Sequence, residues 1–218
     1  MTPKERAIAR EWCRAFIDHG CILRSPPGQK FLPTQDAILS NYQYFFPIAT
    51  LDPGFQARIA ALFWDHYLPK FRARPFQLCG CESGGVPLVC TLQAYAYRMG
   101  LRVNVFTSKK AQKTYGLRNW LDGMVSETLP VVMVDDVVGA KLTLTAHGKR
   151  LSGMGLEIVE AWAIAACSPK HQPPFTVTIA PGRSIPLTVL LGVGDFADFH
   201  ERYVARYGRA PQFKGVMR

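Results

Sequence analysis

The sequence predicts an α/β fold: a mostly parallel central sheet flanked by helices, with a small hood from the N-terminal region and the C-terminal tail. Three observations carry this. Short apolar runs alternate with segments of helical period, the pattern of strands joined through helices. The run at residues 131–134 is apolar at every position, as a central parallel strand buried on both faces should be. Chemically unusual loops follow three of the runs, at the strand ends where open α/β sheets bind ligands.

Taken in order, Thr2-Pro3-Lys4-Glu5 reads as a capping box with proline at the first helical position, and the helix should stop at Gly20. Residues 20–50 hold the turn cluster Ser25-Pro26-Pro27-Gly28 and the aromatics Tyr42, Tyr44, Phe45 and Phe46, and they are assigned to the hood. Asp52-Pro53 opens a second helix, with Phe55, Ile59, Leu62, Phe63 and His66 on one face and Pro69 expected to end it; His66 is read as a core or boundary residue. A core sheet is expected over residues 74–167: strands at 76–79, 102–106, 131–134 and 157–166, a helix marked by Leu88, Val89, Leu92, Tyr95, Ala96 and Met99, and another ending near Leu151. A strand at 185–191 and a helix from Asp195 complete a single domain spanning 1–218.

Composition narrows the class. The chain has 218 residues, enough for one domain with a sizeable core. No apolar run reaches the roughly 18 residues of a membrane span, and no apolar stretch follows Met1-Thr2-Pro3-Lys4-Glu5-Arg6, so neither a membrane nor a secretory segment is expected. The six cysteines lack C-x-x-C spacing and are read as reduced, mostly buried thiols rather than a zinc site, which fits a cytoplasmic protein. The net charge of +10 suits a polyanionic small ligand or nucleic acid. The basic residues are spread along the chain except for Lys109, Lys110 and Lys113 with Arg118, which favours a compact anion site.

Three loops carry the chemistry. Asp135 and Asp136 end the 131–134 strand; adjacent carboxylates raise each other's pKa, and ribose hydroxyls or a metal's water shell would compensate. The small-residue turn that follows, Val137-Val138-Gly139-Ala140-Lys141-Leu142-Thr143, opens a helix whose backbone N–H groups can hold a phosphate. The plainer alternative is that Asp135 caps the turn and Asp136 is solvated. In Gly80-Cys81-Glu82-Ser83-Gly84-Gly85-Val86-Pro87-Leu88, paired glycines permit close backbone approach, or simply a tight strand–helix turn. In Ser108-Lys109-Lys110-Ala111-Gln112-Lys113-Thr114-Tyr115-Gly116, three lysines repel one another unless an anion or solvent intervenes; residues 108–119 carry no apolar period and are expected to be mobile.

Together these motifs resemble the type I phosphoribosyltransferases, most closely the orotate branch. Residues 131–143 resemble the family's phosphoribosyl pyrophosphate (PRPP) signature, with Gly139 where Thr or Ala is usual and Lys141 where Gly is usual. Residues 80–88 resemble its pyrophosphate loop, with Gly84 where the orotate enzymes often carry Lys. Residues 109–116 resemble the orotate enzymes' mobile catalytic loop, with Lys109 in place of Arg, and Leu121-Asp122-Gly123 echoes that loop's exit. The loops occur in family order, and the resemblance is good over roughly 50–167.

The resemblance implies transfer of 5-phosphoribosyl from PRPP to a nitrogenous base with release of pyrophosphate, as in pyrimidine nucleotide synthesis. It implies Lys113, Asp135 and Asp136 as catalytic residues; Glu82, Ser83, Gly84, Gly85, Lys109, Lys110, Lys113 and Tyr115 around the pyrophosphate; and 135–143, including Ala140, around the ribose 5-phosphate. It further implies Mg2+ held mainly by PRPP and water, and a homodimer with the 108–119 loop shared across the interface. Tyr44-Phe45-Phe46 aligns with the hood's aromatic run, whereas Ala37 falls near the Lys that grips the orotate carboxylate, and Ser168-Pro169-Lys170 supplies no Arg; Lys30, Lys170 or Arg183 would have to substitute. The acceptor base therefore stays open. So does a second class: a non-catalytic PRPP or nucleotide sensor on the same fold that contacts nucleic acid. A module binding nucleic acid alone leaves the Asp pair unexplained.

Overall fold

The computed structural model describes residues 7, 11, 22–24, 42–44, 52–111, 119–139, 141–166 and 175–192. Ala7 and Glu11 are helical. β1 (Ile22–Arg24) and β2 (Tyr42–Tyr44) pair antiparallel, Ile22 opposite Tyr44, as a ribbon within the expected hood. Ala37, Phe45, Phe46, Lys30, Lys170, Cys13, Cys21, Cys167 and the helix expected from Asp195 lie outside the described residues.

α1 (Pro53–Ala73) starts as the sequence predicts: the Asp52 carboxylate accepts from the Phe55 N–H at 2.9 Å, and proline occupies the first turn. It does not end at Pro69. Proline there removes one intrahelical donor, but Tyr67 and Phe71 on either side are both buried in the core and hold the helix through it to Ala73. His66 is exposed, packed edge-on to Tyr67, rather than a core residue.

The main sheet has the order β5-β4-β3-β6-β7-β9-β8. β3 (Gln77–Cys81), β4 (Val105–Ser108), β6 (Val131–Val138), β7 (Ile158–Ala166) and β9 (Arg183–Leu191) run parallel; β5 (Leu121–Gly123) and β8 (Thr176–Ala180) close the two edges antiparallel. β5 and β8 are additions to the sequence reading. Three residues are too few to show a period, whereas Val177 and Ile179 of β8 do alternate as buried positions.

Helices cover both faces. On one, α1 and α2 (Gly85–Arg98) bury Ile59, Phe63, Trp64, Tyr67, Leu88 and Leu92 against Leu78, Val132, Val134 and Trp162. On the other, α3 (Leu142–Gly153) buries Leu144 and Leu151 against Cys79, Phe106, Met133 and Ile179. Cys79 and Cys81 are buried thiols as expected; Cys90 is exposed. Glu160 on β7 pins α1 to the sheet, accepting from Tyr67 Oη and Lys70 Nζ at 2.8 Å each and from Thr188 Oγ1 at 2.7 Å. Among the described residues no helix is long and apolar enough to cross a membrane.

Candidate active site

Because β3 lies between β4 and β6, and all three are parallel, the loops leaving their C-terminal ends are neighbours. These are the three loops the sequence singles out: 82–84 leading into α2, the segment from Lys109 to Trp120, and 139–141 leading into α3. The topology thus gathers residues separated by some tens of positions at one edge of the sheet.

The acidic pair lies within a strand rather than beyond it. β6 continues to Val138 because β7 is long enough to pair with it, Asp135 opposite Ala163 and Val138 opposite Ala166. Successive strand residues leave the strand on opposite faces, yet the two carboxyl groups stay within hydrogen-bonding reach of each other. Asp135 sits on the α3 side, 6% exposed, and Asp136 on the α2 side, half-buried. The capped-and-solvated alternative therefore fails for Asp135. Its pKa is pushed well up, first by burial, then by the neighbouring Cys81, then by Asp136; its Oδ1 accepts from the Asp136 N–H at 3.0 Å. Burial, more than mutual repulsion, makes this carboxyl unusual. Asp136 is also raised, again by burial, against the pull of the Val137 N–H, which its Oδ1 accepts at 2.8 Å, and of the Lys110 ammonium.

The glycine loop is shaped around this strand. A Cβ on Gly85 would meet the Val134 carbonyl oxygen at 2.1 Å, and one on Gly80 the Gly85 oxygen at 2.8 Å. A Cβ on Gly84 would lie 2.1 Å from Asp136 Oδ1. Any side chain at position 84 would require the Asp136 carboxylate to move. Gly84 is the N-cap of α2, so the positive end of that helix faces the same carboxylate. The Glu82–Ser83 peptide is cis. Ser83 is exposed.

The lysines have separate fates. Lys109 is buried, 6% exposed, and its ammonium donates to Asp122 Oδ1 at 2.7 Å and to the Asn119 carbonyl at 3.2 Å. Its side chain braces the loop's base and is not presented to an anion. The partner is Asp122 of Leu121-Asp122-Gly123, which the sequence marks only as the loop's exit. Lys110 is exposed; its backbone N–H donates to Glu82 Oε2 at 2.7 Å, and its charge bears on Asp136. Glu82 is thereby a clip between two loops. Lys113 and Tyr115 lie outside the described residues.

At the third loop, Asp135, Val137, Val138, Gly139, Lys141, Leu142, Thr143 and Leu144 line a small open cleft of about 30 Å3 beside the start of α3. Ala140 lies outside the described residues. Lys141, the N-cap, has φ 65°, the one positive φ at a non-glycine among the described residues. The chain therefore keeps a left-handed turn where glycine would be unstrained. Burial lowers the Lys141 pKa.

Sequence reasoning missed His147, Arg150 and Trp120 around the loop's base. His147 is buried and its Nδ1 lies 2.6 Å from Ser108 Oγ; burial, with Arg150 and Lys110 nearby, lowers its pKa to about 4. Arg150 stacks its guanidinium 3.8 Å above the Trp120 ring and donates to the Lys109 carbonyl. The spacing of His147 and Arg150 puts both on one helix face, the one available signal. Arg183 does not substitute as a base-carboxylate ligand. It begins β9 and donates to the Ile158 carbonyl at 3.3 Å, at the opposite edge of the sheet from the three loops.

No protein-family model matches the chain, and no curated protein matches it in sequence. Solved structures do. A phosphoribosyltransferase from Corynebacterium diphtheriae superposes with a TM-score of 0.64 at 15% identity, over 87% of this chain and 99% of that one. The Mycobacterium tuberculosis orotate phosphoribosyltransferase in complex with PRPP gives 0.58 at 16% identity, over 90% and 93%. The Trypanosoma brucei adenine phosphoribosyltransferase, in complex with AMP, pyrophosphate and ribose-5-phosphate, gives 0.59 at 17% identity, over 96% and 87%. These superpositions, with the parallel sheet and its three adjacent loops, give the chain the fold of the type I phosphoribosyltransferases.

Proposed function

We propose that the protein transfers the 5-phosphoribosyl group of PRPP to a nitrogenous base and releases pyrophosphate. The observation that carries this is the convergence of Asp135 and Asp136 with the Gly84–Gly85 turn, Lys110 and the start of α3, on three loops of adjacent parallel strands. In the reaction, the bond from the anomeric carbon to the pyrophosphate oxygen breaks as a base nitrogen forms its bond to that carbon. Positive charge grows on the ribose and negative charge on the leaving pyrophosphate. Fixed cations and N–H groups aimed at the leaving group are what this charge flow needs. Lys110, the N–H groups at the start of α2 and Lys113 would meet the pyrophosphate. Asp135 and Asp136 would accept from the ribose hydroxyls and stabilise charge on the ring. The cleft at the start of α3 would hold the 5-phosphate, with Lys141 at its lip.

Magnesium fits this site as a companion of the ligand. Among the described residues no cluster of three His, Cys, Asp or Glu side chains could hold a metal ion, so a hard cation would take most of its oxygens from the diphosphate and water, with Asp135 or Asp136 contributing at most as neighbours. Bound there, it would neutralise charge on the departing pyrophosphate.

The test is calorimetry with PRPP and Mg2+, followed by a screen of orotate, uracil, purines and nicotinate-like acids for pyrophosphate release. Binding that Asp136→Asn weakens, with turnover of one base, is the expected result. No binding at millimolar PRPP overturns the reading. Tight binding without turnover of any base replaces it with a PRPP sensor.

A further inference from the structure

The base of the 109–120 segment is tied to α3 by contacts that the transferase chemistry does not call for. Arg150 reaches both stems at once: its guanidinium donates to the carbonyl of Lys109 on the outgoing stem and covers the ring of Trp120 on the returning stem, 3.8 Å above it. The stems are closed on each other by the Lys109 N–H, which donates to the Trp120 carbonyl at 2.9 Å, and by the Lys109 ammonium on Asn119 and Asp122. One turn back on the same helix face, His147 bonds Ser108, the last residue of β4. The next residue out, Lys110, is clipped by its backbone N–H to Glu82 of the glycine loop. At its other end α3 begins with Leu142, Thr143 and Leu144, which line the cleft beside Asp135.

We propose that Arg150 is a positioning residue: it fixes the platform from which the lysine-bearing segment departs and sets that platform against the glycine loop and α3. The catalytic consequence rests on the transferase reading; the positioning itself does not. The physical argument is entropic. Groups on residues 109–111 and 119–123 act on developing charge without a further ordering cost when those residues are already held in place. A planar guanidinium can stack and donate in plane simultaneously, which an ammonium cannot. A brace that merely added stability would shift Tm and leave the chemistry of the folded enzyme unchanged; a positioning residue lowers kcat in protein that is fully folded and still binds PRPP.

The experiment compares Arg150→Met and Arg150→Lys with the parent chain by hydrogen exchange and kinetics. In Arg150→Met, exchange in segments 109–111 and 119–123 should rise about tenfold or more, the scale of losing one cation–π contact and one charged hydrogen bond, while β6 stays protected. The kcat should fall about tenfold with PRPP affinity within about twofold, and Arg150→Lys should fall between the two. If Arg150→Met fails to fold, Trp120→Leu removes the same stack from the loop side and should open the same segments. Unchanged exchange in both stems overturns the proposal, as does raised exchange with kcat intact. Should the parent chain turn over no base, the transferase reading fails by itself and the exchange comparison alone decides the positioning.

Discussion

Gly84 leaves the space that Asp136 occupies: a Cβ at residue 84 would stand 2.1 Å from Oδ1 and 2.2 Å from Cγ of that carboxylate. The neighbouring Gly85 is constrained differently, since its Cβ would strike the backbone oxygen of Val134 at 2.1 Å. A side-chain carboxylate can rotate away, at the loss of its 2.8 Å bond from the Val137 N–H, whereas a strand carbonyl cannot. Gly84→Ala should therefore cost little stability and much PRPP affinity. Gly85→Ala should cost about 1–3 kcal/mol or more, the range of overpacking a filled interior. Thermal unfolding and calorimetry on both variants check this. Equal losses of Tm in the two would show that Asp136 is held as rigidly as the backbone.

Lys141 carries a second separation of stability from binding. A non-glycine residue in the left-handed region costs roughly 1–2 kcal/mol, so Lys141→Gly should hold or raise Tm by about 2–4 °C for each kcal/mol recovered. If its ammonium meets the 5-phosphate, PRPP binding should weaken by about tenfold or more, the scale of a hydrogen bond to a charged group. A variant that gains stability and binds PRPP as tightly as before would leave the turn's backbone as the phosphate ligand and the ammonium as a bystander.

Stability should depend on pH through His147 and Asp135 in opposite senses. The His147 pKa is lowered from 6.5 to about 4, so the fold favours the neutral ring; that contribution is complete above 6.5 and is lost as pH falls through the window to about 4, on the order of 2 kcal/mol. Asp135 is raised, so its ionised form opposes folding above its folded pKa, and the penalty disappears as pH falls toward 3.8. Over that window His147→Asn should flatten the acid-side loss of Tm, and Asp135→Asn should raise Tm at neutral pH while abolishing PRPP binding. A His147→Asn variant with the parent's pH profile would remove the buried imidazole from the acid limb.

The sequence by itself determined the α/β class, the start of α1 at Asp52-Pro53, the central strand β6 and the three loops that meet at its end. Those features are written locally: apolar period, a capping carboxylate beside a proline, an acid pair after four apolar residues. Even the identity of Gly84 is legible as a need for space, although not what fills it. Tertiary structure alone decided the rest. Only strand pairing carries β6 through Asp135 and Asp136, so that the pair lies in the strand rather than beyond it. Only packing takes α1 past Pro69, because Phe71 beyond it is buried in the core. Two lysines that look alike in sequence become different residues when Asp122 neutralises Lys109 and Glu82 holds the backbone of Lys110. Charge and period are properties of neighbours along the chain; burial and partnership are properties of neighbours in space, and these assign Lys109, His147 and Arg150 to the framework beneath the site.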